Sequence, residues 1–139
     1  MALSFDSITI GDALPTIEKT PGREQLVKYA AGSGDFNPLH YDADFPQAKV
    51  IGDNIVHGRM KYASLGQCVS DWVGHAGTVQ SISCQYRGMD LQGMTFVCKG
   101  VVKDKRIEDG AKIVELELWT EAANGQKTTP GSAIVILNA

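Results

Sequence analysis

VIGDNIVHGRMKYASLGQCVSDWVG, residues 50–74, is the stretch on which the fold turns. Gly58 opens a helix of about four turns that ends near Gly74. Its small and apolar residues, Met60, Ala63, Leu65, Gly66, Cys68, Val69, Trp72 and Val73, are spread around most of the wheel. A helix that is apolar on most sides is buried on most sides. After it the period changes. TVQSISCQYRG (78–88), MTFVCKGVVKDK (94–105), AKIVELELW (111–119) and GSAIVILNA (131–139) alternate or run apolar, with Gly, Asp and Asn between them. These read as four strands joined by short turns, hence an antiparallel meander. Glu115 and Glu117 alternate with Val114, Leu116 and Leu118, as in a strand with one wet face. One buried helix followed by antiparallel strands gives an α+β class, with the sheet curled around the helix.

Upstream, residues 12–20 suit a first strand that stops near Thr20-Pro21-Gly22. REQLVKYAA, residues 23–31, has Leu26, Val27 and Ala30 at one-face spacing and predicts a short helix, with Gly32 placed as its C-terminal cap. A chain of 139 residues suits one domain, residues 1–139, with no repeat, low-complexity tract or linker to divide it. The net charge of −3 argues against a nucleic-acid binder, which usually carries a basic stripe. No apolar run approaches the ~20 residues that span a bilayer. The N-terminal MALSFDSITIGDALP lacks a basic region followed by an apolar one, so no signal peptide is expected. Cys68, Cys84 and Cys98 lie among apolar neighbours without a CxxC pair, as buried free thiols in a reducing cytoplasm would.

The chemistry concentrates in AAGSGDFNPLHYDADF, residues 30–45. Gly34, Asn37 and Pro38 make this a shaped loop. It carries Asp35 and His40, a carboxylate and an imidazole able to share general acid–base work on one water. The same residues also suit a plain turn, in which Asp35 and Asn37 close Asx-turns and His40 is a satisfied loop histidine. A second element is IVHGRM, residues 55–60. The Gly58 N–H lies in the positive end of a helix dipole without a side chain to shield it, which suits an oxyanion. An ordinary helix start with His57 in the cap region fits equally. Asp35, His40 and His57 form a two-His, one-carboxylate set, but they lack ligand-type helix spacing, and no metal is expected. His75 follows the helix-ending Gly74 as a surface turn residue. No GxSxG, P-loop or GxGxxG occurs.

SGDFNPLH followed by VHG resembles the MaoC-like family of hot-dog proteins, (R)-specific 2-enoyl-CoA hydratases and 3-hydroxyacyl-thioester dehydratases. The resemblance runs from IGDALP through DWVG to the closing strands. It is particularly close to small dehydratase subunits of actinobacterial fatty-acid elongation, which act on carrier-protein thioesters. It implies a single hot-dog domain, an antiparallel sheet wrapped around a long central helix. It implies a lyase in which Asp35 and His40 bind one water and Gly58 N–H meets the thioester oxygen. Asn37, His57 and Arg59 fall at substrate-binding positions. No cofactor is implied beyond the CoA or phosphopantetheine that carries the substrate. An uncovered sheet edge and helix face imply a dimer, homomeric or with a related hot-dog subunit, with neither nucleic acid nor a membrane span.

Four positions depart from the family pattern. Arg59 and Lys61 put two cations early in a buried helix, pointing either outward to an interface or solvent or toward the carrier's phosphate. Pro46 replaces a small residue. Gly66 stands where some relatives carry a Ser that supports the Asp–His pair, leaving Ser64 as a substitute. Lys49, Arg87, Lys99 and Lys103 add basic groups able to meet a CoA phosphate or an acidic carrier protein. Two readings compete with the lyase: a non-catalytic subunit that completes a partner's acyl tunnel, and a hot-dog acyl-thioesterase.

Overall fold

A computed structural model describes residues 2–139. The elements are β1 (Ile17–Lys19), α1 (Arg23–Ser33), a 3-10 turn (Pro38–His40), α2 (Pro46–Ile51), α3 (Gly58–Val73), β2 (Gly77–Cys84), β3 (Phe96–Glu108), β4 (Ala111–Ala122) and β5 (Lys127–Leu137). All strand pairs are antiparallel, in the order β1-β3-β4-β5-β2. The last three strands form the expected meander, but β2 does not begin it. β2 pairs with β5 at the sheet edge, and Gln85, Arg87 and Gly88 still bond Pro130 O and Thr128 O of β5 before the chain crosses to β3. The first strand is also shorter than residues 12–20: Ala13 makes only an isolated bridge to Val101.

The sheet curls around α3, and the core lies between them. Leu65, Cys68 and Val69 of the helix pack with Phe96, Cys98, Val102, Val114, Leu116, Leu118 and Val135 of the strands, all at 2% exposure or less. Full burial of one such side chain is worth roughly 1.5–3 kcal/mol. The helix is covered on most sides, as its composition suggests, with one face left open. Arg59, Ala63, Gln67 and Ser70 form an exposed strip along it. Its small residues therefore face outward as well as inward.

Two local boundaries moved for clear reasons. α1 runs through Gly32 and is closed by Gly34, whose φ of 77° permits the left-handed cap that a β-carbon disfavours. Pro46 does not merely bend a loop but starts α2, because the first turn of a helix needs no N–H from it. The three thiols are free, Cys68 and Cys98 buried and Cys84 half-buried. Burial pushes Cys98 up to about 12 and raises Cys68 and Cys84 as well.

Candidate active site

The loop between α1 and α2 is built from its own side chains. Asp35 Oδ1 accepts from Asn37 N at 3.3 Å, and Asn37 Oδ1 accepts from Leu39 N at 3.1 Å, so each closes an Asx-turn. Buried Asn54 then anchors the loop from the other side, donating to Leu39 O at 3.0 Å and Asp42 O at 2.8 Å. Arg23 Nε satisfies the Asn54 oxygen at 3.0 Å. Asn37 therefore serves as an architect of the turn; it is absent from the cleft wall described below.

This framework brings Asp35 and His40 together, with Asp35 Oδ2 3.6 Å from His40 Nε2. His40 is buried, whereas the Asp35 side chain is 46% exposed. His40 Nδ1 lies 2.8 Å from Ile55 O. A carbonyl only accepts, so Nδ1 carries the proton and Nε2 keeps its lone pair toward Asp35. The 3.6 Å gap is too long for a good direct hydrogen bond and leaves both groups turned to the same small space.

His57, expected at the substrate, lies behind His40 instead. It is 1% exposed, its ring stacks on His40 at 3.7 Å, and Tyr29 meets its edge at 4.8 Å. Its Nε2 bonds Asp35 O at 3.2 Å and Nδ1 has no partner among the described residues. Burial, then the neighbouring His40 charge, holds its pKa below the usual histidine value. A neutral His57 thus backs the catalytic-type pair and ties to the backbone of Asp35. Asp35, His40 and His57 offer ligand atoms within 4.8 Å of one another. The stacked rings, only 21° from parallel, do not converge on a common centre in the way a ligand set requires.

Asp35 and His40 open onto a cleft of about 480 Å³. Gly58, Arg59 and Lys61 of α3 form one wall, and Tyr86, Arg87, Gly88 and Met89 another. No acceptor among the described residues takes the Gly58 N–H. A β-carbon at position 58 would lie 3.0 Å from Tyr86 Cδ1 and Cε1, so glycine lets the aromatic ring close over the helix start.

The two cations of α3 diverge. Arg59 is exposed on the cleft. Lys61 does not point outward: its side chain is 2% exposed and Nζ lies 3.0 Å from Asp90 Oδ2 and 3.0 Å from Gly88 O. Asp90 Oδ2 also accepts from Thr128 Oγ1 at 2.6 Å, and Thr128 meets Thr120 at 2.8 Å. The sequence reading missed this buried chain. Its one signal was Lys61 standing one turn after Gly58 on the inward face, a position that obliges an acid to meet it. Ser64 donates to Met60 O at 2.8 Å within its own helix, and gives the Asp35–His40 pair no support.

Residues 6–124 match the family described as MaoC like domain. The chain belongs to the MaoC-like family. This MaoC-like protein superposes on the (R)-hydratase of A. caviae involved in PHA biosynthesis with a TM-score of 0.83, at 23% identity over 94% of this chain and 98% of that one. It superposes on the HadBC (3R-hydroxyacyl-ACP dehydratase) complex of Mycobacterium tuberculosis with a TM-score of 0.71, at 14% identity over 91% and 96%. At these identities the likeness is one of fold, the hot dog. Among curated proteins it is 26% identical over 95 residues to fatty acid synthase subunit beta of Saccharomyces cerevisiae, which is 67% of this chain but 4% of that protein. The hydratase and the dehydratase complex named here share this hot-dog fold with the MaoC-like chain. No helix among the described residues is long and apolar enough to cross a membrane.

Proposed function

We propose that the protein interconverts trans-2-enoyl thioesters and (R)-3-hydroxyacyl thioesters. The observation that carries this is Asp35 and His40 sharing a 3.6 Å gap on one cleft with the free N–H of Gly58. In hydration, His40 Nε2 takes a proton from water as its oxygen bonds C3. The π electrons shift toward C2 and the thioester oxygen gains negative charge, which Gly58 N–H stabilises. Asp35 delivers a proton to C2, and the proton held by His40 returns to Asp35 across the gap. Water is added and no electron leaves, so the chemistry calls for no redox cofactor; CoA or phosphopantetheine carries the acyl group. The C3 hydroxyl and the C2 proton come from one face, the syn addition that the family's (R) product implies.

The test follows loss of the conjugated enoyl absorbance with crotonyl-CoA. Asp35→Asn and His40→Gln should each lower kcat at least ~100-fold, the usual scale for losing a general acid or base. Near-normal turnover in both variants would overturn the assignment, and release of free thiol would favour a thioesterase instead. The exposed strip Arg59, Ala63, Gln67 and Ser70 supports a dimer, with a second copy or a related subunit covering α3. Mass measurement of the pure chain separates the two.

A further inference from the structure

We infer that His57 is a positioning residue: it ties the loop carrying Asp35 to the helix start carrying Gly58, and so sets where the two act on one substrate. The inference rests on the hydratase reading and adds a residue to it. Residues 31–37 are all exposed, so burial does not hold the Asp35 end of the loop in place. Its local bonds do not reach the rest of the protein either. Asp35 N bonds Ser33 Oγ at 3.2 Å and Asp35 Oδ1 accepts from Asn37 N, each only two residues away. Among the described residues, the one hydrogen bond that joins Asp35 to a distant part of the chain is the His57 Nε2–H donated to Asp35 O, at 3.2 Å.

The same residue holds the other two groups. Its ring stacks on His40 at 3.7 Å. Its backbone is the N-cap of α3, with the carbonyl accepting from Met60 N at 3.1 Å and Lys61 N at 3.3 Å, directly before Gly58. Stability does not explain the choice of residue. A helix start favours Ser, Thr, Asp or Asn, whose side chains cap it, and His57 makes no capping bond. Its Nδ1 is buried without a partner among the described residues, a penalty that a phenyl ring of similar shape would not bear. What imidazole has and phenyl lacks is the Nε2–H held by Asp35. Burial also keeps the ring neutral, as the chemistry requires, because a cation stacked on His40 would oppose the proton that His40 takes from water.

The experiment is a double-mutant cycle on crotonyl-CoA hydration by the full chain. His57→Phe keeps a ring against His40 and removes the donor. It should lower kcat roughly 10- to 100-fold, the scale of misplacing a reacting group by an ångström. KM should change by less than about 3-fold, since His57 does not line the cleft. In an Asp35→Asn background, where no carboxylate needs placing, the same substitution should cost less than about 3-fold in kcat. His57→Gln, whose amide N–H reaches about as far as Nε2, should keep more of kcat than His57→Phe. An equal loss in both backgrounds overturns the inference, because a variant that merely lowers the folded fraction loses the same factor in each. So does parental kcat in His57→Phe, a loss expressed in KM alone, or His57→Gln slower than His57→Phe. Those outcomes leave the hydratase reading standing; a wild type that turns over no enoyl thioester, or Asp35→Asn at the parental rate, removes both.

Discussion

Two ion clusters in this chain use the same chemistry and have different consequences. Arg106, at the far end of β3, touches Asp104, Glu108 and Glu115 at 3.0, 3.0 and 3.3 Å, with its side chain 40% exposed. Its carboxylate neighbours raise its pKa, Glu108 foremost. Lys61 touches one acid at 3.0 Å, with both side chains at 3% exposure or less. The richer cluster is the weaker constraint, because water and salt screen it and can replace each bond. The sparser one has no such substitute. Taking either partner from the buried pair leaves a charge without compensation.

The largest effect is therefore expected from Lys61→Met alone, a loss of about 3–5 kcal/mol in urea-unfolding free energy as Asp90 is stranded. Lys61→Met with Asp90→Leu should recover most of it. If the double variant is no more stable than the single one, the stranded charge is not the cause. His57 is the intermediate case, a buried polar ring with one unpaired nitrogen. Its depressed pKa means that the unfolded chain binds a proton more readily than the folded one. Its contribution to stability is therefore intact above a pH near 6.5 and declines as pH falls below that value. His57→Phe should flatten that acid-side decline in a series of melts; a slope as steep as the parent's would remove His57 as its source. The smallest effect belongs to Arg106→Gln, whose unfolding midpoint should match the parent's at moderate salt. A clear loss there would break the contrast between the clusters.

The parts of this molecule that were legible beforehand are those encoded locally. α3 announced itself through the glycines at 58 and 74 and a change of period after them. Gly58, Asp35 and His40 lie on segments whose turn chemistry is written in adjacent residues, and the structure brings all three to one cleft. What escaped depended on distant partners. The edge position of β2 is decided by pairing with β5, some fifty residues later in the chain, as Ser83 and Ser132 show. Lys61 finds Asp90 29 residues away, in a loop with no regular period to betray its shape. His57 reads as a cap residue until the ring of His40 is placed upon it. Even Gly32 and Gly34 were separable only by dihedral angle, since both residues permit a helix to end.

The state of the three thiols has a practical consequence. Thiolates react and thiols scarcely do, so sulfurs whose ionisation is pushed upward by burial stay quiet toward maleimides at neutral pH. A cysteine introduced on the outer strip of α3, at Gln67 for instance, would then accept a fluorophore with little background. Such a label would report directly on whatever comes to rest against that helix.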